Sequence, residues 1–296
     1  MLKRILNKTL KTVGYQLQKI EEPKENILVK KDAWSYQKDW VMPHIKTEDL
    51  VLDIGSGNNP SPRANILADY FPDESIHRQG AVVEDRPLVV CSLENLPFKK
   101  KAFQFSICSH VFEHLEHPEI AAKEIGRVSD AGYIETPAYG KDILVGSGYM
   151  HLWQVVSFEN KMYFFQYSDR EHEAFVHSPV MDLWVQKNHH PWQDYFWARQ
   201  DLFNACLLWK DTPEIEVFRR KVNNIPVKKD FQNVDLSKIS TAPPSLTKDE
   251  ITILENILTV PGSDSTMKFE EDKFVNADKT VVFPVRAKRI YCEIPY

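Results

Sequence analysis

A short apolar run that stops at a glycine-rich turn constrains this chain more than any other feature. Leu50-Val51-Leu52-Asp53-Ile54 has the length and composition of a strand buried on both faces, and it runs straight into Gly55-Ser56-Gly57. A strand entering Gly-x-Gly lets the backbone turn sharply and approach a ligand with no Cβ in the way. That pattern alone is weak. A nicotinamide-dinucleotide fingerprint needs a third glycine near position 60 and an acidic residue about 20 positions on. Pro60 stands at the first place and Asp69 comes too early for the second.

The chain around this turn alternates strands with helices or loops. Further strands are expected at 66–69, 88–91, 103–108 and 132–135. A helix is expected over 118–128, with Pro118 in its first turn and Ile120, Ala121, Glu124, Ile125 and Val128 at helical spacing. The pattern predicts an α/β fold, a Rossmann-like open and mostly parallel sheet. Residues 153–158 and 161–167 flank Glu159-Asn160 and read as an antiparallel hairpin, placed at the far edge of that sheet. Residues 170–210 carry Trp184, Trp192, Tyr195, Phe196, Trp197 and Trp209, either a second small core or a lid over a substrate. Residues 221–296 are polar, broken at Pro243-Pro244 and Pro261-Gly262, with strand-like stretches at 280–284 and 289–294. Three parts result: an N-terminal helix and linker (1–31), the α/β domain (32–168) and an aromatic-rich C-terminal accessory or lid region (169–296).

Composition removes several classes. A net charge of −5 and a pI near 6.1 give no whole-protein attraction to nucleic acid or anionic membrane. Cys91, Cys108, Cys206 and Cys292 are far apart and form no CxxC pair, so zinc-ribbon and thioredoxin-type readings fail on spacing. Four cysteines in 296 residues do not suggest a disulfide scaffold, and a reducing cytoplasm is the expectation. No run approaches 18 apolar residues. At the N-terminus Leu2, Ile5, Leu6, Leu10, Val13 and Leu17 recur at helical spacing between Lys3, Arg4, Lys8, Lys11 and Lys19. The lysines forbid the continuous apolar core of a secretory signal. Such a helix suits docking on the domain or a partner, and also peripheral contact with the inner face of a membrane.

Several motifs in order extend the first signal. Asp53-Ile54-Gly55-Ser56-Gly57, Asp69 closing the second strand, Leu96-Pro97-Phe98, Ser109-His110-Val111-Phe112-Glu113-His114-Leu115 and Ala121-Ala122-Lys123-Glu124-Ile125-Gly126-Arg127-Val128 resemble a class I S-adenosylmethionine-dependent methyltransferase of type 11 over about residues 48–140. The resemblance implies that Gly55 and Gly57 pass beneath the methionine part of S-adenosylmethionine. It also implies that Asp69 accepts hydrogen bonds from the ribose hydroxyls and that Leu93 lies near adenine. The cofactor set it implies is Asp53, Gly55, Ser56, Gly57, Asn58, Asp69, Ser92, Leu93, Ser109 and His110. Two departures stand out. Pro60 and Pro62 leave the usual first helix short or absent, and Ser92 replaces a frequent aspartate.

His110-Val111-Phe112-Glu113-His114 matches the H-x-x-E-H of inverted zinc peptidases, but it follows a strand inside a methyltransferase pattern. It is also similar to the Glu-x-x-Glu-His motif that holds a divalent metal in small-RNA terminal 2′-O-methyltransferases and some ubiquinone-pathway O-methyltransferases. Here His110 replaces the first glutamate. The resemblance makes His110, Glu113 and His114 candidate metal ligands, with His151 as a further one; without metal, Glu113 caps or salt-bridges and His114 lines the pocket. A helical turn from His110 to His114 puts both imidazoles on one face. His114, His151 and Glu135 are the candidate catalytic groups, Glu135 because it ends a strand where sheets meet ligands. His117 and His189-His190 read as surface histidines.

The resemblance implies an O-methyltransferase, and a polar small molecule or a glycan is its expected acceptor on one analogy alone. The N-terminal Met-Leu-Lys-Arg-Ile-Leu helix followed by Gly14-Tyr15 is similar to leaders on methyltransferases of bacterial surface-polysaccharide clusters. Methylation of an RNA end is the second enzyme reading, distinguished by basic residues around the pocket. A non-catalytic module that holds a partner through 184–209 is the third, distinguished by absence of cofactor binding.

Overall fold

Every residue of β1 (Val51–Ile54), β2 (Ile66–Asp69) and β3 (Leu88–Val90) is buried, as strands covered on both faces must be. These strands come from a computed structural model that describes residues 32–72, 80–145, 151–174, 190–220 and 242–292. The amphipathic segment 1–20, its linker to residue 31, Trp184 and His189 lie outside the described residues.

α1 (Ser35–Trp40) and a 3-10 turn (Met42–His44) precede β1. β4 (Phe103–Ser109), a 3-10 turn (Phe112–His114), α2 (Pro118–Val128) and β5 (Ser129–Pro137) follow β3. Next come α3 (Tyr139–Val145), β6 (Trp153–Phe158), β7 (Lys161–Gln166), α4 (Asp169–Ala174), α5 (His190–Ala198), α6 (Gln200–Phe203), β8 (Asn204–Lys210) and β9 (Ile215–Phe218). α7 (Lys248–Ile257) leads to β10 (Met267–Glu270), β11 (Lys273–Asn276), β12 (Val282–Arg286) and β13 (Arg289–Tyr291).

The large sheet has the order β10-β11-β12-β13-β3-β2-β1-β4-β5-β8. Pairing is parallel from β13 through β5, with β8 antiparallel to β5 and an antiparallel meander beyond β13. Period-two alternation divides its core. Leu52 and Ile54 pack with Ala121, Ile125 and Val128 of α2 and Leu254 of α7. Val51, Phe105, Ile107 and Tyr133 face the other way, onto Val41, Ile45 and Tyr36. α2 starts with its proline at the first turn and buries Ala121, Ala122, Ile125 and Val128, but Ile120 points to solvent. α7 opens with a full capping box, Thr247 with Glu250, which satisfies two otherwise orphaned donors.

The connection from β1 to β2 contains no helix, as Pro60 and Pro62 lead one to expect. Side chains hold the loop instead. Ser61 N donates to Asp53 Oδ2 at 2.6 Å, Val51 N to Asn65 Oδ1 at 2.8 Å, and Arg86 Nη1 to Ala64 O at 2.7 Å.

The hairpin forms, and Glu159 and Asn160 take the positive φ values of 50° and 59° that match a tight turn to strand twist. Its expected place needs correction. β6 and β7 belong to a second, three-stranded sheet with β9 parallel to β7. The far edge of the large sheet is β8, which pairs with β5 over seven residues from Ala131↔Lys210 to Pro137↔Asn204 and drives Trp209 into the main core. Segment 169–296, read from the sequence as an accessory or lid region, supplies five strands to the large sheet. The aromatic stretch divides accordingly: Trp209 is core, while Trp192 stacks on Phe196 (4.9 Å, 13°) and Phe203 packs 4.8 Å from Phe196.

Candidate active site

The strand order reverses beside β1, with β2 and β3 to one side and β4 and β5 to the other, so a crevice opens at the carboxyl ends of β1 and β4. Gly55 (φ +72°) and Gly57 (φ +53°) line it in left-handed backbone, which costs glycine little and other residues more. A Cβ on Gly55 would collide with the side chain of Val111. Its absence lets the segment after β4 close over the end of β1. Gly57 N donates to Asp69 Oδ2 at 2.9 Å and Phe71 N to Asp69 Oδ1 at 2.8 Å. Two backbone donors thereby fix the orientation of that carboxylate.

The remaining residues assigned to the cofactor take varied positions. Asp53 is spent on the Ser61 amide, and burial, with the nearby Asp69 charge, pushes its carboxyl up to about 7. Ser56 Oγ is buried without a hydrogen-bond partner. Asn58 packs against Gly80, Ser92 Oγ accepts from Glu94 N at 3.1 Å, and Leu93 is buried. Ser109 Oγ accepts from Gln37 Nε2 of α1 at 3.3 Å, and Gln37 Oε1 is itself buried without a partner. Nothing in the sequence marked Gln37.

Beyond β4 the backbone turns at His110 (φ +58°) and then takes a single 3-10 turn, not an α-helical one. The two imidazoles therefore do not share a helix face. His110 spans two acids, with Nδ1 3.5 Å from Glu113 Oε1 and Nε2 3.3 Å from Glu135 Oε1. Burial and Lys141 oppose its charge, but Glu113 and Glu135 outweigh them and raise its pKa. Glu135 also accepts from Tyr133 Oη at 2.5 Å. Its carboxyl is lowered because His110 and Tyr133 more than offset burial.

Glu113 is the most telling group. Its side chain is 1% exposed, and neither oxygen has a hydrogen-bond partner. Burial alone would raise its pKa, yet the charges of His114, His110 and His151 hold it down at about 2. Leu152 N donates to Glu113 O at 2.8 Å and Trp153 Nε1 to Leu115 O at 2.7 Å. These bonds dock the start of β6 on the loop and carry His151 beside His114, with ring centroids 5.0 Å apart. One ligand atom each from Glu113, His114 and His151 falls within 4.8 Å of the others. The trio differs from the expected one: His151 joins Glu113 and His114, while His110 turns toward Glu135.

His151 is further held from behind. Its Nδ1 lies 2.8 Å from Asp142 Oδ1, and Asp142 Oδ2 accepts from Tyr167 Oη at 2.8 Å. A carboxylate on Nδ1 keeps that nitrogen protonated and leaves the Nε2 lone pair for a ligand. Asp142, Tyr167 and Lys141 went unnoticed in the sequence because no motif links them to partners that lie 9, 25 and 63 positions away. His117 stays at the surface, beside Arg219 and Glu119.

Comparison with known proteins agrees with this geometry. Residues 52–134 match the family model of a methyltransferase domain. No curated protein matches the chain in sequence. Among solved structures, a putative methyltransferase of Haloferax volcanii, in complex with the Trm112 methyltransferase activator, is 16% identical, with 36% of this chain and 53% of that one covered and a TM-score of 0.28. A putative methyltransferase from Bacillus halodurans is 15% identical over 40% of this chain and 61% of that one, TM-score 0.29. A possible histamine N-methyltransferase from Thermotoga maritima is 19% identical over 48% and 67%, TM-score 0.27. The chain thus spans little more than half the length of the first two.

Proposed function

We propose that this chain is an S-adenosylmethionine-dependent methyltransferase acting on an oxygen of a polar acceptor, with a divalent metal ion held by Glu113, His114 and His151. The observation that carries the metal is Glu113, a buried carboxylate whose oxygens make no hydrogen bond of ordinary length and whose nearest cationic groups are imidazoles, His110 at 3.5 Å and His114 at 3.7 Å. Imidazoles compensate a buried carboxylate only while protonated, and Glu113 with His114 and His151 is a common divalent-ion donor set. For the cofactor, two positive-φ glycines, an oriented Asp69 and the partnerless Ser56 Oγ support a fit at the crevice.

S-adenosylmethionine supplies a methyl group activated by its sulfonium, and a divalent ion lowers the pKa of an acceptor hydroxyl. The protein's own part is positioning. Gly55–Gly57 and Asp69 orient the cofactor, Asp142 fixes the His151 tautomer, and Glu135 holds His110 at the acceptor side. Such orientation is the larger share of catalysis in a direct transfer. Glu113, Glu135 and Asp142 are buried close to Lys141, and their negative charge gives no footprint for the phosphates of an RNA end. They favour a hydroxylated small molecule or sugar.

Calorimetry with S-adenosylhomocysteine tests the reading, with and without magnesium, manganese or zinc. Wild-type protein is expected to bind, and Gly57→Val and Asp69→Ala to stay folded while binding is lost. The valine fills the cofactor's place, and the alanine removes an oriented acceptor. Wild-type affinity in either folded variant refutes the cofactor assignment.

A further inference from the structure

Lys141 is a cation at this site with a single protein hydrogen-bond acceptor among the described residues, although Glu135, Glu113 and Asp142 act on it from a distance. Its Nζ donates to Asn204 Oδ1 at 2.8 Å and lies 5.4 Å from the centroid of the Phe196 ring. Among the described residues it forms no ion pair. An ammonium carries three N–H donors, so two have no acceptor among the described residues. The acids nearby are already engaged: Glu135 by Tyr133 and His110, Asp142 by His151 and Tyr167.

The lysine is also held deliberately in place. Gln200 Nε2 donates to Phe196 O at 2.9 Å and Asn204 Nδ2 to Gln200 Oε1 at 2.5 Å, with both amides buried. That chain of bonds dictates which way the Asn204 amide faces and turns its oxygen toward Lys141. Trp192 stacks on Phe196, which gives the lysine an aromatic wall. Asn204 pairs with Pro137, two positions beyond Glu135, so its bond to Lys141 sets the ammonium at the carboxyl end of β5, where open sheets meet ligands.

We infer that Lys141, backed by Asn204 and Phe196, is a subsite for a carboxylate, so that the methyl acceptor is a polyhydroxylated acid of the uronic-acid kind. The inference rests on the methyltransferase reading and names its substrate class. One cation balances one negative charge. A carboxylate carries one such charge and a phosphate dianion two, so the second would add to the repulsion by the neighbouring acids.

The test uses the full chain saturated with S-adenosylhomocysteine and titrated calorimetrically with D-glucuronate, D-glucose and glucose 6-phosphate. Glucuronate is expected to bind at least about tenfold tighter than glucose, the effect of one charge-assisted hydrogen bond, and tighter than glucose 6-phosphate. Lys141→Met is expected to erase that preference while S-adenosylhomocysteine affinity stays unchanged, and Lys141→Arg to keep it. Equal binding of glucuronate and glucose by wild-type protein overturns the inference, as does a preference for the phosphate or one that survives in Lys141→Met. The wild-type comparison decides even where the methionine variant fails to fold. Failure of wild-type protein to bind S-adenosylhomocysteine refutes the methyltransferase reading separately, and the same glucuronate comparison on that protein still decides the Lys141 subsite.

Discussion

Glu113→Gln separates a metal ligand from a buried ion pair. The substitution keeps the shape of a side chain that is 1% exposed but removes the negative charge a divalent ion needs. In wild-type protein an ion at 100 times its Kd stabilises the fold by about 2.7 kcal/mol. For a domain of this size, each kcal/mol moves Tm by roughly 2–4 °C, so saturating metal should raise wild-type Tm by about 5–11 °C. In Glu113→Gln the shift should fall to within about 2 °C. The variant also loses its attraction to the neighbouring imidazoles, which holds Glu113 near 2, so its metal-free Tm will differ as well. Comparing each protein with and without metal cancels that cost. Imidazole must be neutral to ligate, so the wild-type shift should be larger at pH 8 than at pH 6. The assay is thermal unfolding by circular dichroism after dialysis against EDTA, then with magnesium, manganese, zinc or cobalt added. No shift with any of these ions, or an undiminished shift in Glu113→Gln, refutes the argument that Glu113 is buried for a metal.

Three other outcomes are expected. His114→Ala should keep S-adenosylhomocysteine affinity and lose methyl transfer at least about a hundredfold, the size of a typical acid–base or metal contribution; full activity would leave His114 as packing. Asp53 has a folded pKa of about 7, above its unfolded value near 4. Its contribution to stability is therefore complete below about pH 4 and lost as pH rises through 7, so Asp53→Asn should flatten the decline of Tm over that window, and an unchanged profile would show that another group carries it. Deleting residues 1–20 should leave Tm and cofactor binding unchanged, because residues 32–296 form a unit of their own; loss of the transition would show that this segment completes the core.

Local chemistry was legible from the chain alone. The run into Gly55-Ser56-Gly57 announced both a buried strand and a close-approach turn, because positive φ and a missing Cβ are properties of single residues. Pro60 and Pro62 foretold the absent helix, and Glu159-Asn160 the tight hairpin, for the same reason. Pairings at long range were not legible. The hairpin's place in a second sheet, the antiparallel β8 at the edge and the meander docked on β3 depend on which edges are left open after the central strands assemble. His110 and His151 show the limit most clearly. Spacing in the chain favoured His110 as a ligand beside His114, yet a left-handed φ at His110 turned it to Glu135. Two bonds from the start of β6 to the loop after β4 brought His151 into its place. Residue types and short-range geometry suffice to mark a site, but its membership is decided by packing between segments far apart in the chain. That is why Asp142, Tyr167 and Lys141 emerged only when the sheet was complete.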